Sequence, residues 1–315
     1  MKQRELYNTY IESNNNGSEN PLVSVIIPTY NRSHMLLRAV QSVLRQTYRS
    51  LECIVVDDGS SDNSIEKIRR QFQDKRLIFL RHDMNKNASS ARNTGIAYSK
   101  GQFLAFLDDD DEWLPEKLQK QLSLIQKLPL NVGMVYCWMD CYDKDDRIDM
   151  KHHSFYTGYV FPHVLDEQRI GGCPTLLIRR SVIDKVGGFD ESIGRGDDGD
   201  FIRRICLRYE VDCIAEVLVK VYTDHGHSRL TRNDKTGVKE AILSYNDRLV
   251  KFKSELHKYP KQTANIYASV AYYYGEAGDR KNSMTFFQKA FRKYPFCFNI
   301  YRYGLRRLGK AILKR

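Results

Sequence analysis

The chain has 315 residues, 42% of them apolar and 28% charged, with a formal net charge of +11. That balance is too apolar for an intrinsically disordered chain, and the length holds one large core or two modest ones. No stretch approaches the roughly 18–20 uncharged apolar residues that span a bilayer, and the N-terminus lacks a charged-then-apolar leader, so a cytoplasmic protein is expected.

Residues 1–20 are polar, with the run Asn14–Ser18, and read as a flexible N-terminal arm. Val23–Ile27 is a continuous aliphatic run, as in a parallel strand covered on both faces. It breaks at Pro28-Thr29-Tyr30-Asn31-Arg32, and Met35–Gln46 then has helical spacing. A second strand, Leu51–Val56, ends in Asp57-Asp58-Gly59-Ser60 and leads into a helix at Ser64–Phe72. Leu77–Arg81 is a third strand, Ala91–Ser99 a helix, and Phe103–Leu107 a fourth strand. Alternating strands and helices imply an α/β fold with a mostly parallel sheet and right-handed crossovers.

The fourth strand runs into four consecutive carboxylates, Asp108–Asp111. If the extended conformation persists, Asp108 and Asp110 share one face and Asp109 and Asp111 the other. Two carboxylates on one face supply part of the oxygen shell of Mg²⁺ or Mn²⁺, with substrate phosphates completing it. The plainer alternative is that these acids solvate a loop and favour the N-terminus of the helix opened by Pro115-Glu116. In parallel sheets ligands bind beyond the carboxyl ends of strands. Thr29-Tyr30, Asp57-Asp58 and Asp108–Asp111 all fall at such ends, on one predicted edge.

The ordered set VSVIIPTYNR, IVVDDGSSDNS, SSARNTGI and FLAFLDDDDEW resembles the inverting family-2 glycosyltransferases of the GT-A fold. The later stretches Gly187–Glu191 and Gly196–Phe201 are similar to the family's acceptor-side motif, so the resemblance covers about 21–232. It implies a GT-A, Rossmann-like domain at 21–235, with a nucleotide-binding half at 21–112 and an acceptor half at 113–235. By the same match Pro28, Thr29, Tyr30, Arg32, Asp57 and Asp58 would contact the nucleotide, as would Arg92, Asn93, Asp108 and Asp109. Asp110 would be the principal ligand of Mn²⁺ or Mg²⁺, with Asp108 and His225 as further ligands. Asp198 matches the general base, with Asp200 as second choice; the alternative for these acids is to cap a helix at Phe201–Arg208. Asp197, Arg229 and Arg232 would meet the diphosphate or the acceptor. The family more often has Glu before the base and an aromatic after it, where this chain has Asp197 and Gly199, and glycine where Asn87 stands. Gly133–Trp138 and Cys173–Arg179 are plausible strands completing the sheet; Trp138 and Tyr142 would stack on a sugar or pack in the core.

The seven cysteines are scattered among apolar residues and fit buried, reduced thiols; Cys137 and Cys141 have no second pair to complete a zinc site. From about Lys239 the pattern is helical, and Tyr267–Pro295 fits one tetratricopeptide-like repeat, giving a helical C-terminal extension at 236–315. Residues 301–315 hold six Lys/Arg and no acid. Charge so localised favours a tail on an anionic membrane over a nucleic-acid groove, and no nucleic-acid module is recognisable. The expectation is a metal-dependent inverting glycosyltransferase moving a sugar from a nucleotide-sugar, UDP-linked by preference, to a saccharide or lipid-linked saccharide in surface-polysaccharide assembly. It would be cytoplasmic or peripheral on the inner face of the membrane. The alternative is a non-catalytic sugar-nucleotide-binding or scaffold protein whose tail docks partners.

Overall fold

The computed structural model describes residues 20–223, 234–297, 299 and 301. Strand β1 (Val23–Thr29), helix α1 (Ser33–Leu44), β2 (Leu51–Asp57), α2 (Ser64–Gln71), β3 (Leu77–Arg81), α3 (Ala88–Tyr98) and β4 (Phe103–Phe106) form the alternating first half. Then follow β5 (Glu112–Trp113), α4 (Lys117–Ile125), β6 (Val132–Tyr142), β7 (Ile148–His152), α5 (Phe161–Val164), β8 (Leu177–Arg179), α6 (Arg180–Val186), α7 (Asp197–Cys206) and β9 (Glu210–Tyr222). The C-terminal helices are α8 (Lys235–Lys251), α9 (Lys253–Leu256), α10 (Pro260–Glu276) and α11 (Arg280–Lys293).

Among the described residues the strands form one sheet in the order β3-β2-β1-β4-β8-β6-β9-β5, with β7 paired to β6. The β1–β4 strands are mutually parallel, β8 is antiparallel to β4 and β6, and β9 is parallel to β6. This is the mostly parallel α/β sheet expected from the alternation. The chain builds outward through β2 and β3 and then returns to the other side of β1, so a crevice opens beyond the carboxyl ends of β1 and β4, where open α/β sheets bind ligands.

Burial follows the period of two. Ile26, Ile54, Leu104 and Phe106 enter the core cluster on one face of the sheet, and Val25, Ile27, Val55 and Ala105 the cluster on the other. The C-terminal helices contribute to the first cluster through Phe252, Leu256, Ile266 and Val270. Phe161 packs against Phe252 and Tyr259 with ring centroids 5.7 and 6.0 Å apart. Each such buried aliphatic or aromatic side chain stabilises by roughly 1.5–3 kcal/mol. The extension therefore shares a core with the sheet domain. Its helices α10 and α11 pack together through stacking of Tyr274 on Phe286 and through Ser283 Oγ donating to Ala271 O at 2.7 Å.

Two local expectations change. Residues 173–179 are not one strand: Cys173–Thr175 is a 3₁₀ turn around Pro174, and only Leu177–Arg179 pairs. The helix expected at Phe201–Arg208 begins at Asp197, because Gly196 takes a left-handed φ of 83° and turns the chain so that Asp197, Asp198 and Asp200 occupy the first helical turn. All seven cysteines are buried, as expected. No described helix is long and apolar enough to cross a membrane.

Candidate active site

The extended conformation assumed for Asp108–Asp111 does not persist. Strand β4 stops at Phe106, and Asp111 N donates to Asp108 O at 3.1 Å, closing a turn. The acids are therefore sorted by partner rather than by alternate faces. Asp109 is buried: its Oδ2 accepts from Thr29 Oγ1 at 2.7 Å and its Oδ1 from Arg32 Nη1 at 3.0 Å. The same guanidinium reaches Asp110 Oδ2 at 3.0 Å. Arg38 Nη2 donates to Asp110 O and stacks over Tyr222, 3.6 Å from the ring centre.

On the other side of the crevice Arg92, in α3, is 5% exposed and reaches three acids. Its Nη2 meets Asp108 Oδ1 at 2.7 Å, and its Nη1 meets Asp197 Oδ2 at 2.8 Å and Asp198 Oδ1 at 3.9 Å. Ser89 Oγ donates to the same Asp197 oxygen at 2.9 Å. Asp198 Oδ2 accepts from the Cys173 backbone N–H at 3.0 Å. A Cβ at Gly172 would come 3.2 Å from that oxygen, so glycine keeps the approach open.

Burial, with crowded like charge adding to it, controls protonation here. Burial, then Asp110, pushes Asp109 up to about 7 against the pull of Arg32 and Thr29. Burial, followed by the like charges of Asp110 and Asp197, raises Asp108 although Arg92 opposes it. Asp198 is pushed up to about 6 by burial, with Asp197 and Asp108 adding to it and Arg92 opposing. Hard carboxylate oxygens crowded in this way suit a divalent cation, and Asp108 and Asp110 are at the open side with side chains 31% and 14% exposed. No group of three potential metal ligands is already gathered among the described residues.

At the end of β2, Asp57 is fully buried. Its Oδ1 accepts from Ser60 N at 2.8 Å, while Oδ2 has no hydrogen bond and only a 3.5 Å ion pair to Arg81. Tyr30, which follows the Thr29 that pairs with Asp57 across β1 and β2, is 44% exposed. Asp58 instead holds the loop between β3 and α3: its oxygens accept from Lys86 N and Asn87 N, both at 2.9 Å, and meet His82 Nδ1 at 2.7 Å. Asn87 takes a φ of 114° and caps α3 through Ser90 N, so the glycine-for-asparagine departure is absorbed locally. Asn93 ties α3 to the acceptor side, accepting from Phe189 N at 2.8 Å and donating to Phe189 O at 2.9 Å and Glu191 Oε1 at 2.8 Å.

Asp200 is engaged elsewhere, by Arg204 Nε at 2.8 Å and Lys251 Nζ at 3.2 Å. Pro28 is buried in β1. Trp138 stacks on His153 at 4.8 Å between ring centres, and Tyr142 lies against Tyr222 at 5.9 Å. His225, Arg229 and Arg232 lie outside the described residues, as do all of 301–315 but Tyr301. Sequence reasoning missed Arg38 and the Cys173 N–H. Arg38 had a weak signal, a cation one and a half turns beyond Arg32 on α1; a backbone donor has none.

Residues 24–187 match the family described as Glycosyl transferase family 2. A relative from Escherichia coli, the UDP-Glc:alpha-D-GlcNAc-diphosphoundecaprenol beta-1,3-glucosyltransferase WfgD, is 44% identical over 168 residues, 52% of this chain and 62% of that protein. The structure of S. aureus TarS 1-349 in complex with UDP-GlcNAc superposes with a TM-score of 0.61 at 15% identity, covering 86% of this chain and 91% of that one. The mannosyltransferase PcManGT from Pyrobaculum calidifontis, in complex with GDP-Man and Mn²⁺, gives 0.58 at 17% identity, covering 98% and 88%. The chain belongs to glycosyl transferase family 2 and has the GT-A fold.

Proposed function

We propose that this chain is an inverting transferase that moves a sugar from a nucleoside diphosphate donor, UDP-linked by preference, to a lipid-linked saccharide in surface-polysaccharide assembly. The observation that carries the reading is the Arg92 bridge, which sets Asp108 of 21–112 beside Asp197 and Asp198 of 113–235. A donor held by the first half thus presents its reacting carbon to a carboxylate of the second. The E. coli relative, named for UDP-Glc and a diphosphoundecaprenol acceptor, supports both substrate classes.

In this reading Asp57 Oδ2, which has no hydrogen bond, accepts the ring N–H of the base, and Tyr30 offers its face to it. Pro28 and Thr29 end the strand beneath the base; Thr29 and Arg32 fix Asp109, and Asp58 and Asn93 shape the loops on either side. Asp110 and Asp108 would hold Mn²⁺ or Mg²⁺, with His225 a further ligand candidate and Arg229, Arg232 and Asp197 candidates for the diphosphate or the acceptor. When bound, the cation offsets the charge that builds on the leaving diphosphate. Asp198 takes the proton of the acceptor hydroxyl as that oxygen attacks the anomeric carbon from the face opposite the diphosphate. A base near 6 is ionised at neutral pH yet stronger than an ordinary carboxylate, and such help is worth roughly 10²–10⁴-fold. Asp200, already shared by Arg204 and Lys251, is the poorer base.

A location on the inner membrane face follows from a lipid-linked acceptor. The surface of α11 supports it: Arg280–Lys293 has five Lys/Arg and no acid, and exposes Met284 and Phe291 seven residues apart. The deciding experiment titrates UDP, GDP and dTDP calorimetrically, with Mn²⁺ and with chelator, into wild type and Asp110→Ala. Metal-dependent UDP binding that the substitution abolishes supports the donor site; no binding of any diphosphate refutes it.

A further inference from the structure

The extension reaches the acceptor side of the site through two polar braces. Lys251, the last residue of α8, pairs through Nζ with Asp190, with Asp200 Oδ1 at 3.2 Å and with Asp247 Oδ2 at 3.0 Å. Asp190 belongs to the loop after α6, and Asp200 to the first turn of α7, two residues after Asp198. Arg204 continues the tie from α7, bonding Asp200 Oδ2 at 2.8 Å, Val186 O at 2.9 Å and Gly188 O at 2.6 Å. The second brace grips the other wall. Arg248 Nη1 donates to Asp166 O at 2.8 Å, and Asn265 Nδ2 donates to Asp166 Oδ2 at 2.6 Å. Asp166 opens the segment that runs to Cys173, whose N–H holds Asp198.

These contacts are placed where a cation matters. The Asp200 side chain is only 6% exposed, so its charge is stable there only while Arg204 and Lys251 face it. The Lys251 hydrogen bond, with those from Ser192, holds the Asp190 carboxyl down at about 2, so the loop end of the brace stays charged at any working pH. An ammonium shared by two separate acceptor-side elements fixes their spacing more tightly than apolar packing, which tolerates sliding.

We propose that Lys251 is a positioning residue for the transfer: it sets the N-terminal turn of α7, and with it Asp198, against 187–191, so that the C-terminal helices are part of the catalytic unit rather than a separable docking module. The inference rests on Asp198 being the base. The ion pairs of Lys251 run to the acceptor side and to its own helix, which separates this role from general support of the fold.

The test uses the full chain with Lys251→Met, Lys251→Arg, Asp190→Asn and Asp198→Asn. Lys251→Met is expected to lower kcat about tenfold or more at saturating substrates, as a small misplacement of a reacting group does, with the Kd for UDP and Mn²⁺ within about twofold of wild type. Lys251→Arg should restore most of that loss, and Lys251→Met with Asp190→Asn should lose no more than Lys251→Met alone, because both act through one contact. A kcat for Lys251→Met within about twofold of wild type overturns the proposal, as does a parallel loss of UDP affinity. If Lys251→Met does not fold, Asp190→Asn decides, since it leaves Lys251 on Asp200; an unchanged kcat there also overturns it. Full turnover by Asp198→Asn would refute the base itself, whereas a dead Asp198→Asn beside an unchanged Lys251→Met would refute the brace alone.

Discussion

Arg92 and Asp197 are 105 residues apart in the chain and meet at 2.8 Å, with Asp108 on the other fork of the same guanidinium at 2.7 Å. A planar, always-charged fork can hold two carboxylates in fixed directions, which an ammonium cannot. Arg92→Lys should therefore fold and still lower kcat/KM by about 10²-fold, because one of the two acids is released. Arg92→Met should be worse in both stability and turnover, since it leaves Asp108, Asp197 and Asp198 crowded without their cation. Steady-state kinetics and thermal melts of the pair check this; equal losses for both would mean that charge alone, not the fork, matters.

As the proposed base, Asp198 would set the pH dependence. Burial, with the like charges of Asp197 and Asp108, raises its folded value to about 6, above the roughly 3.9 of an unfolded aspartate. As a base it works ionised, so kcat/KM should rise with pH, flatten above about 6, and fall about tenfold per unit below it. Stability runs the other way. An acid raised in the fold binds its proton more tightly when folded, so its ionisation destabilises increasingly from about pH 4 to 6 and fully above. Asp198→Asn removes that cost while keeping an acceptor for the Cys173 N–H, and should be more stable than wild type by about 1–3 kcal/mol at pH 8, with the gap closing towards pH 4. Denaturant melts at both pH values, beside a turnover assay that should read near zero, test the assignment.

The fold was legible where apolar runs are continuous, as in Val23–Ile27 and Phe103–Leu107, since only strands buried on both faces keep that pattern. The site was legible where residues follow a strand end: Thr29, Asp57 and the Asp108 cluster sit at the expected edge. It was not legible where a turn decides. No pattern in four identical acids says that the chain turns at Asp108–Asp111 and gives Asp109 to Thr29, because that depends on a partner 80 residues away. Nor could the helical pattern after Lys239 show that Lys251 and Arg248 would reach the acceptor side, since charged positions on a helix read equally well as solvated.

Asp57 offers a direct probe of the donor. A fully buried carboxylate oxygen without a hydrogen bond is costly unless a ligand supplies the donor, and a ring N–H of uracil fits that requirement. Asp57→Ala should weaken UDP binding by about 1.5–3 kcal/mol, the worth of a hydrogen bond to a charged group, while leaving affinity for inorganic diphosphate and Mn²⁺ within about twofold. Calorimetry with both ligands separates base recognition from phosphate recognition; an equal loss for the two would show that Asp57 acts on the fold.

The basic end of the chain makes the last prediction. Residues 301–315 supply six cations, and α11 leads towards them with Phe296 80% and Tyr301 51% exposed. Each Lys or Arg near an anionic bilayer contributes about 1 kcal/mol, and exposed aromatics add insertion into the headgroup layer. The full chain should therefore sediment with phosphatidylglycerol vesicles and not with phosphatidylcholine vesicles, and lose binding between about 0.1 and 0.5 M salt as screening shortens the reach of each charge. Deleting 301–315 should cut the partition coefficient at least tenfold while leaving UDP affinity unchanged, because the proposed donor site lies at the ends of β1 and β4. Vesicle binding that survives the deletion would transfer the role to α11, whose own five cations could then be tested by replacing Lys281, Lys289 and Arg292 with glutamine.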